Sequence, residues 1–249
     1  MTRWWQVSWK RVAVTLLIIF LAPMLLGGIG LLVMHQLRPW LVARNLSATD
    51  PGIDAVPVPL ADTSVASPAG ERIVRFGFSF ESPWKDVVLD RTIKDFGLLS
   101  FKNGGSITLR DPLSRFDSAR SLRSWALIVP GLNGESIHSD YALRRAVLWE
   151  RTGQVKWWKT PGQNAKDLNL ILMKVTQTVE GGAFHPVNFG VVHGFQRGDP
   201  DVAPYVVMLD LFDGADRHYE VEIITRRAGV ISQAEVNGVV ASIRPMAHN

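Results

Sequence analysis

The chain contains no cysteine. That excludes disulfides, thiolate metal sites and a cysteine nucleophile, and leaves the redox compartment open, because absence suits cytoplasm and periplasm alike. There is no G-x-x-x-x-G-K and no G-x-G-x-x-G, so the sequence offers no phosphate cradle for a nucleotide. Basic charge is also scarce where a nucleic-acid binder would need it. The formal charge is +4, from 27 basic and 23 acidic residues. Arg3, Lys10, Arg11, Arg38 and Arg44 all precede residue 49 and meet no acid there, so the remainder carries 22 basic against 23 acidic residues. Counterion release from phosphates supplies most nucleic-acid affinity and requires an electropositive face. The near-neutral bulk argues against a nucleic-acid partner.

What the chain does have is a long apolar run. Val12 to Met34 is free of charge over 23 residues, and at about 1.5 Å per residue it reaches roughly 34 Å, enough for a hydrocarbon core of about 30 Å. Pro23, Gly27, Gly28 and Gly30 are better tolerated in a membrane helix than in a soluble one. Trp4, Trp5 and Trp9 before the run and Trp40 after it fit the aromatic belts at headgroup level. A cleaved signal peptide would have a shorter apolar part, about 7 to 15 residues, and a small-residue cleavage motif. This run is longer and lacks a good A-x-A, which favours a retained anchor. Three basic residues and the amino terminus precede it, and two basic residues follow. The positive-inside rule then predicts a single-pass inner-membrane protein with a cytoplasmic N-terminus and an extracytoplasmic domain.

The predicted organisation is a basic, aromatic N-terminus over 1–11, the transmembrane helix over 12–34, a juxtamembrane segment and proline-rich linker over 35–70, and a globular domain over 71–249. Within 48–70, proline, small residues and acids replace apolar periodicity and read as an extended tether.

In the domain, Arg75 to Phe80 alternates with Phe76, Phe78 and Phe80 on one face and predicts a strand. Leu98–Phe101 and Ser106–Arg110 flank Lys102-Asn103-Gly104-Gly105, a hairpin signal. Ser139 reads as the N-cap of a helix to about Arg151. Strands are predicted over 168–179, 189–197, 204–212 and 218–225, the last two joined by Asp213-Gly214-Ala215-Asp216. Ser232 caps a closing helix with Glu235 near its positive end. The sum predicts an α+β domain, a mostly antiparallel sheet flanked by helices.

The stretch FGFSFESPW, the long hairpins of the second half and the closing ISQAEVNGVVASIRP resemble the PsbP-like α/β/α sandwich family over about residues 72 to 245. The resemblance implies that fold and a binding or accessory role, and it carries no site residues. SDYALRRA and GFQRGDP are similar to segments of bacterial membrane-anchored proteins.

Candidate chemistry is sparse. Gly134-Glu135-Ser136-Ile137-His138 is one residue short of the G-x-S-x-G elbow and reads as a polar loop. The six histidines show no H-E-x-x-H pattern. His185 and His193 meet if their hairpin is tight, with Asp210 or Glu222 completing a ligand site; the plainer reading leaves His193 within a strand and His185 in a loop. Asp210, Asp213 and Asp216 do not match the alternation of a calcium loop. Two basic-aromatic groups stand out as binders of anionic lipid or of polyanions: Arg110, Arg115, Arg120 and Arg123 near Phe116 and Trp125, and Lys156-Trp157-Trp158-Lys159. Solvated arginines partly cancelled by Asp111 and Asp117 are the alternative for the first. No cofactor or metal is indicated. The function expected is a membrane-anchored binding or assembly module, in contact with the bilayer through 12–34 and with a membrane or periplasmic protein as partner. The alternative is a membrane-tethered hydrolase with a site assembled from distant residues such as His193 and Asp210.

Overall fold

The computed structural model describes residues 27–28, 30, 33–34, 37–94, 96–110, 137–178 and 183–246. Most of the apolar run 12–34 lies outside the described residues, although 27, 28, 30, 33 and 34 are helical. Among the described residues no helix is long and apolar enough to cross a membrane.

Residues 37–49 are helical; they form α1. Among the described residues ten strands follow, with three further α-helices: β1 (Arg72–Arg75), β2 (Phe78–Glu81), β3 (Val87–Ile93), β4 (Phe96–Phe101), β5 (Ser106–Arg110), α2 (Asp140–Trp149), α3 (Pro161–Thr178), β6 (Phe184–Asn188), β7 (Val192–Arg197), β8 (Val206–Asp213), β9 (His218–Ile224), α4 (Gln233–Ser242) and β10 (Arg244–Pro245). A seven-stranded sheet runs β3-β4-β5-β9-β8-β7-β6, and a small sheet runs β1-β2-β10. Every described pairing is antiparallel. The α+β class is therefore as the sequence predicts.

The two faces of the large sheet bury different chemistry. One face carries Ile107, Leu109, Leu209, Leu211, Val221 and Ile223 and packs against Phe78 and Phe80 of the small sheet and Val236, Val239 and Val240 of α4. Fully burying a side chain of this kind contributes about 1.5–3 kcal/mol, so this dry layer is the main source of stability. The other face receives α2 through Leu148, Phe184 and Phe195. Helix α2 packs in turn on α3 through Leu143, Val147, Leu170 and Met173, and α3 packs on α1 through Ala43 and Ile171.

Local chemistry explains the boundaries that the sequence anticipates. Asn103 and Gly104 turn β4 into β5, with Gly104 at φ 87°. Ser139 accepts from the Ala142 amide at 3.0 Å as the N-cap of α2. Ser232 and Glu235 form a reciprocal capping box on α4, satisfying donors that the first turn leaves without partners.

Three expectations need correction. Arg75 to Phe80 is not one strand, because Phe76 and Gly77 adopt left-handed φ of 48° and 75° and fold β1 onto β2. Residues 168–179 were expected to be a strand, but 168–178 belong to α3, and 179 lies outside the described residues. Helical neighbours Leu170 and Ile171 are both buried, one against α2 and the other against α1, and a helix buried on two sides loses the one-sided pattern that marks it. The expected strand 189–197 is a turn followed by β7, with β6 preceding it.

The stretch 48–70 is also bound rather than extended away. Ile53 is 1% exposed, and the Val58 amide donates to the Phe184 carbonyl at 2.9 Å. The Ala66 amide donates to the Ala234 carbonyl at 2.9 Å. Asn237 Nδ2 donates to the carbonyls of Asp62 and Ser64. A Cβ on Gly238 would lie 2.1 Å from the Ala66 carbonyl oxygen, so only glycine admits this strap against α4. The folded unit thus begins with α1, earlier than residue 71.

Candidate functional site

The hydrolase candidates lie on β6, β7 and β8. His185 stands opposite Gln196, whereas His193 stands opposite Asn188, and alternation along a strand then puts the two histidines on opposite faces. The structure does not bring them together. His185 Nδ1 lies 2.7 Å from the Val58 carbonyl, on the strap. His193 meets the edge of the Tyr141 ring at 4.2 Å between centroids.

Asp210 shares the α2-facing side of the sheet with His193, but its carboxylate is taken elsewhere. Arg144 of α2 forms an ion pair with one oxygen, and His218 of β9 contacts the other. Burial alone raises the Asp210 pKa, yet the charges of Arg144 and His218 outweigh it and hold the carboxyl well below its usual range. His218 in turn stacks on Phe212 at 4.7 Å. The sequence reading passed over His218. The Asp213-Gly214 hairpin was the signal that could have found it, since that turn sets Phe212 opposite His218 and brings Asp210 diagonally beside it.

Asp213 and Asp216 have separate duties. Asp213 accepts from the Ala215 and Arg217 amides, from Arg217 Nε and from the Tyr219 hydroxyl. Asp216 accepts from the Asp140 and Tyr141 amides at 2.5 and 3.0 Å, where a carboxylate favours the start of α2. Among the described residues no group of three or more histidines and carboxylates is placed to hold a metal ion.

The second basic-aromatic candidate sits against α1. A cavity of about 350 Å³ opens between Trp40, Arg44 and Ser47 of α1 and Thr152, Gly153 and Lys156 of the α2–α3 connection. Arg44 lies over the Trp40 ring at 5.5 Å, and Lys156 over the Trp158 ring at 5.6 Å. Trp157 and Trp158 are 51% and 64% exposed beside it. Lys159 is turned away into an ion pair with Asp167 at 2.7 Å. The loop is fixed from below by fully buried Asn164, which accepts from the Lys156 amide and donates back to its carbonyl.

Behind the cavity, Asp54 accepts from Ser47 Oγ at 2.9 Å and from the Thr152 amide and hydroxyl, each at 2.7 Å. Its burial raises the pKa, but these bonds and the charge of Lys174 leave it net lowered, so Asp54 remains ionised and joins α1 to the loop. Buried Lys174 donates to the carbonyls of Ala55 and Glu150 at 2.6 and 2.9 Å.

The sequence reading assigned Trp40 to an aromatic belt and Lys156 to a separate cluster. Their meeting is tertiary; the sign of it was the spacing of Trp40, Ala43 and Leu46, which all join the cluster holding Ile171. Arg115, Arg120, Arg123 and Ser136 lie outside the described residues. In comparisons with known proteins, the chain matches no family model, no curated protein and no solved structure.

Proposed function

We propose that the chain is a membrane-anchored, extracytoplasmic binding module whose cavity-bearing surface rests on the bilayer that its N-terminal run 12–34 enters. The observation that carries this reading is the junction of α1 with the loop at 152–158. It brings Trp40, Arg44 and Lys156 to the wall of one cavity, and the exposed Trp157 and Trp158 follow Lys156 directly in the chain. Amphipathic aromatic rings and basic side chains are the residues that suit the headgroup layer. Trp40 is six residues beyond Met34, so even a fully extended chain keeps it within about 20 Å of the end of the apolar run. The PsbP-like resemblance, with its accessory and binding roles, agrees with this reading.

The hydrolase reading has less behind it. Its carboxylate, Asp210, is held by Arg144 and His218 under α2, and a general base needs a free lone pair within reach of a substrate proton.

The test uses the full chain in nanodiscs whose lipids carry bromine at a defined depth. Tryptophan fluorescence is expected to be quenched, and Trp157→Phe with Trp158→Phe is expected to remove part of the quenching. Quenching left unchanged by the double substitution would refute docking, because Trp4, Trp5 and Trp9 beside the anchor are quenched whether or not this surface docks. A crosslinked protein partner on this surface, with quenching unchanged by the double substitution, would replace the lipid by a membrane or periplasmic protein.

A further inference from the structure

We infer that the cavity between α1 and residues 152–156 holds the phosphate of an anionic lipid headgroup; this rests on the membrane-docking reading above and names its ligand. The size suits a headgroup, since about 350 Å³ lies at the small end of the roughly 300–1,000 Å³ of small-molecule sites. A protein segment would need more room.

The walls supply the chemistry. Arg44 and Lys156 approach from opposite sides, one from α1 and one from the loop. Neither has a carboxylate partner among the described residues. A guanidinium presents a planar fork that matches two phosphate oxygens, and an ammonium adds a compact point charge. Trp40 offers an apolar wall beneath Arg44, suited to the glycerol carbons that separate a lipid phosphate from its acyl chains.

The carboxylate bonded to the lining residues Ser47 and Thr152 is that of Asp54. Asp54 is absent from the cavity lining. It lies behind Thr152 and Ser47, which are hydrogen-bonded to it, and Lys174 stands near it. The lipid source follows from the neighbours of Lys156, because the exposed Trp158 ring lies under its ammonium and Trp157 is exposed as well, and indoles settle at the depth of phosphates in a bilayer.

The experiment is native mass spectrometry of the detergent-solubilised full chain with phosphatidylglycerol or phosphatidylcholine. Phosphatidylglycerol adducts are expected to predominate and to weaken by about tenfold for Arg44→Gln and again for Lys156→Gln, the scale of one charge-assisted hydrogen bond each. Arg44→Lys is expected to recover part of the loss. Lys159→Gln, whose lysine is already paired with Asp167, is expected to change little. Matching melting temperatures would confirm that the variants fold. Equal adducts with both lipids, or adducts untouched in the double variant, would overturn the assignment. Competition by inorganic phosphate or glycerol phosphate at concentrations matching the lipid would also overturn it in favour of a soluble phosphate ester. The share of bromolipid quenching due to Trp157 and Trp158 separates the two levels: that share retained in the Arg44→Gln, Lys156→Gln variant that still binds lipid equally rejects the cavity alone, whereas its absence from the unaltered chain rejects docking itself.

Discussion

Asp210 and Glu150 are both largely buried carboxylates on the α2 side of the sheet, and their fates are opposite. Burial raises the pKa of each. At Asp210 two cationic partners arrive, Arg144 from a helix and His218 from the next strand, and the net shift is downward. At Glu150 the carboxyl Oε1 has no hydrogen-bond partner. Asp167 adds repulsion to burial, Lys159, Lys166 and Lys174 oppose it less strongly, and the pKa is pushed up to about 7. Lys174 bonds the Glu150 backbone carbonyl. Depth sets the size of the penalty, and whether a cation can aim at the carboxylate decides its sign.

The comparison breaks most visibly if Asp210 loses a cation. Arg144→Met is expected to cost about 3–5 kcal/mol in urea unfolding, the usual consequence of leaving a buried charge with too few partners. Adding Asp210→Asn to it should recover much of that loss; an additive loss would disprove the pairing. Next in size is Lys174→Met, which strips the donor from the Ala55 carbonyl and from the buried Glu150 carbonyl and is expected to cost about 2–3 kcal/mol.

Glu150→Gln sharpens the contrast through pH. The folded pKa near 7 exceeds the ordinary 4.5, so the folded state binds the proton more tightly and Glu150 weakens the fold as pH rises from about 4.5 to 7. The glutamine variant should gain on the order of 1–2 kcal/mol at pH 8, after discounting for screening, and nothing near pH 4.5. Asp210 works the other way: its folded pKa is depressed, so its contribution is present above the ordinary carboxylate value and is lost as pH falls through the folded one. Melting curves should therefore improve on mild acidification from neutrality and deteriorate in strong acid, and Asp210→Asn should flatten only the second limb. The smallest effect is expected at the surface pair Arg72–Glu81, whose side chains are 48% and 38% exposed. Arg72→Gln should change stability by less than about 1 kcal/mol; a larger loss would mean that exposure is not what separates this pair from Asp210.

Much of the fold was legible where local chemistry decides. Asn103-Gly104, Ser139 and Ser232 each act on amides within a few residues, so the sequence predicts the β4–β5 hairpin and the starts of α2 and α4. β3 was missed because it is an edge strand, exposed along its whole length, and has no buried face to impose alternation. α3 was misread because Leu170 and Ile171 serve two neighbours. The strap at 50–70 is held largely by its backbone, through Val58 and Ala66, and hydropathy does not register backbone partners. In the site, the basic and aromatic character of Lys156–Lys159 was readable, whereas its junction with Trp40 and Arg44 depends on the packing of α1 against α3.

The burial of Ala43 and Ile53 beside Ile171 has a mechanical meaning. As a free coil, the stretch 48–70 would let the domain wander on the order of 25 Å from any point at which the preceding chain was held. Folded into the domain, it leaves almost no leash. A chain rooted through 12–34 would hold its domain low over the lipid and meet its ligands by lateral diffusion, in a two-dimensional search, so that local surface density rather than bulk concentration would set its occupancy.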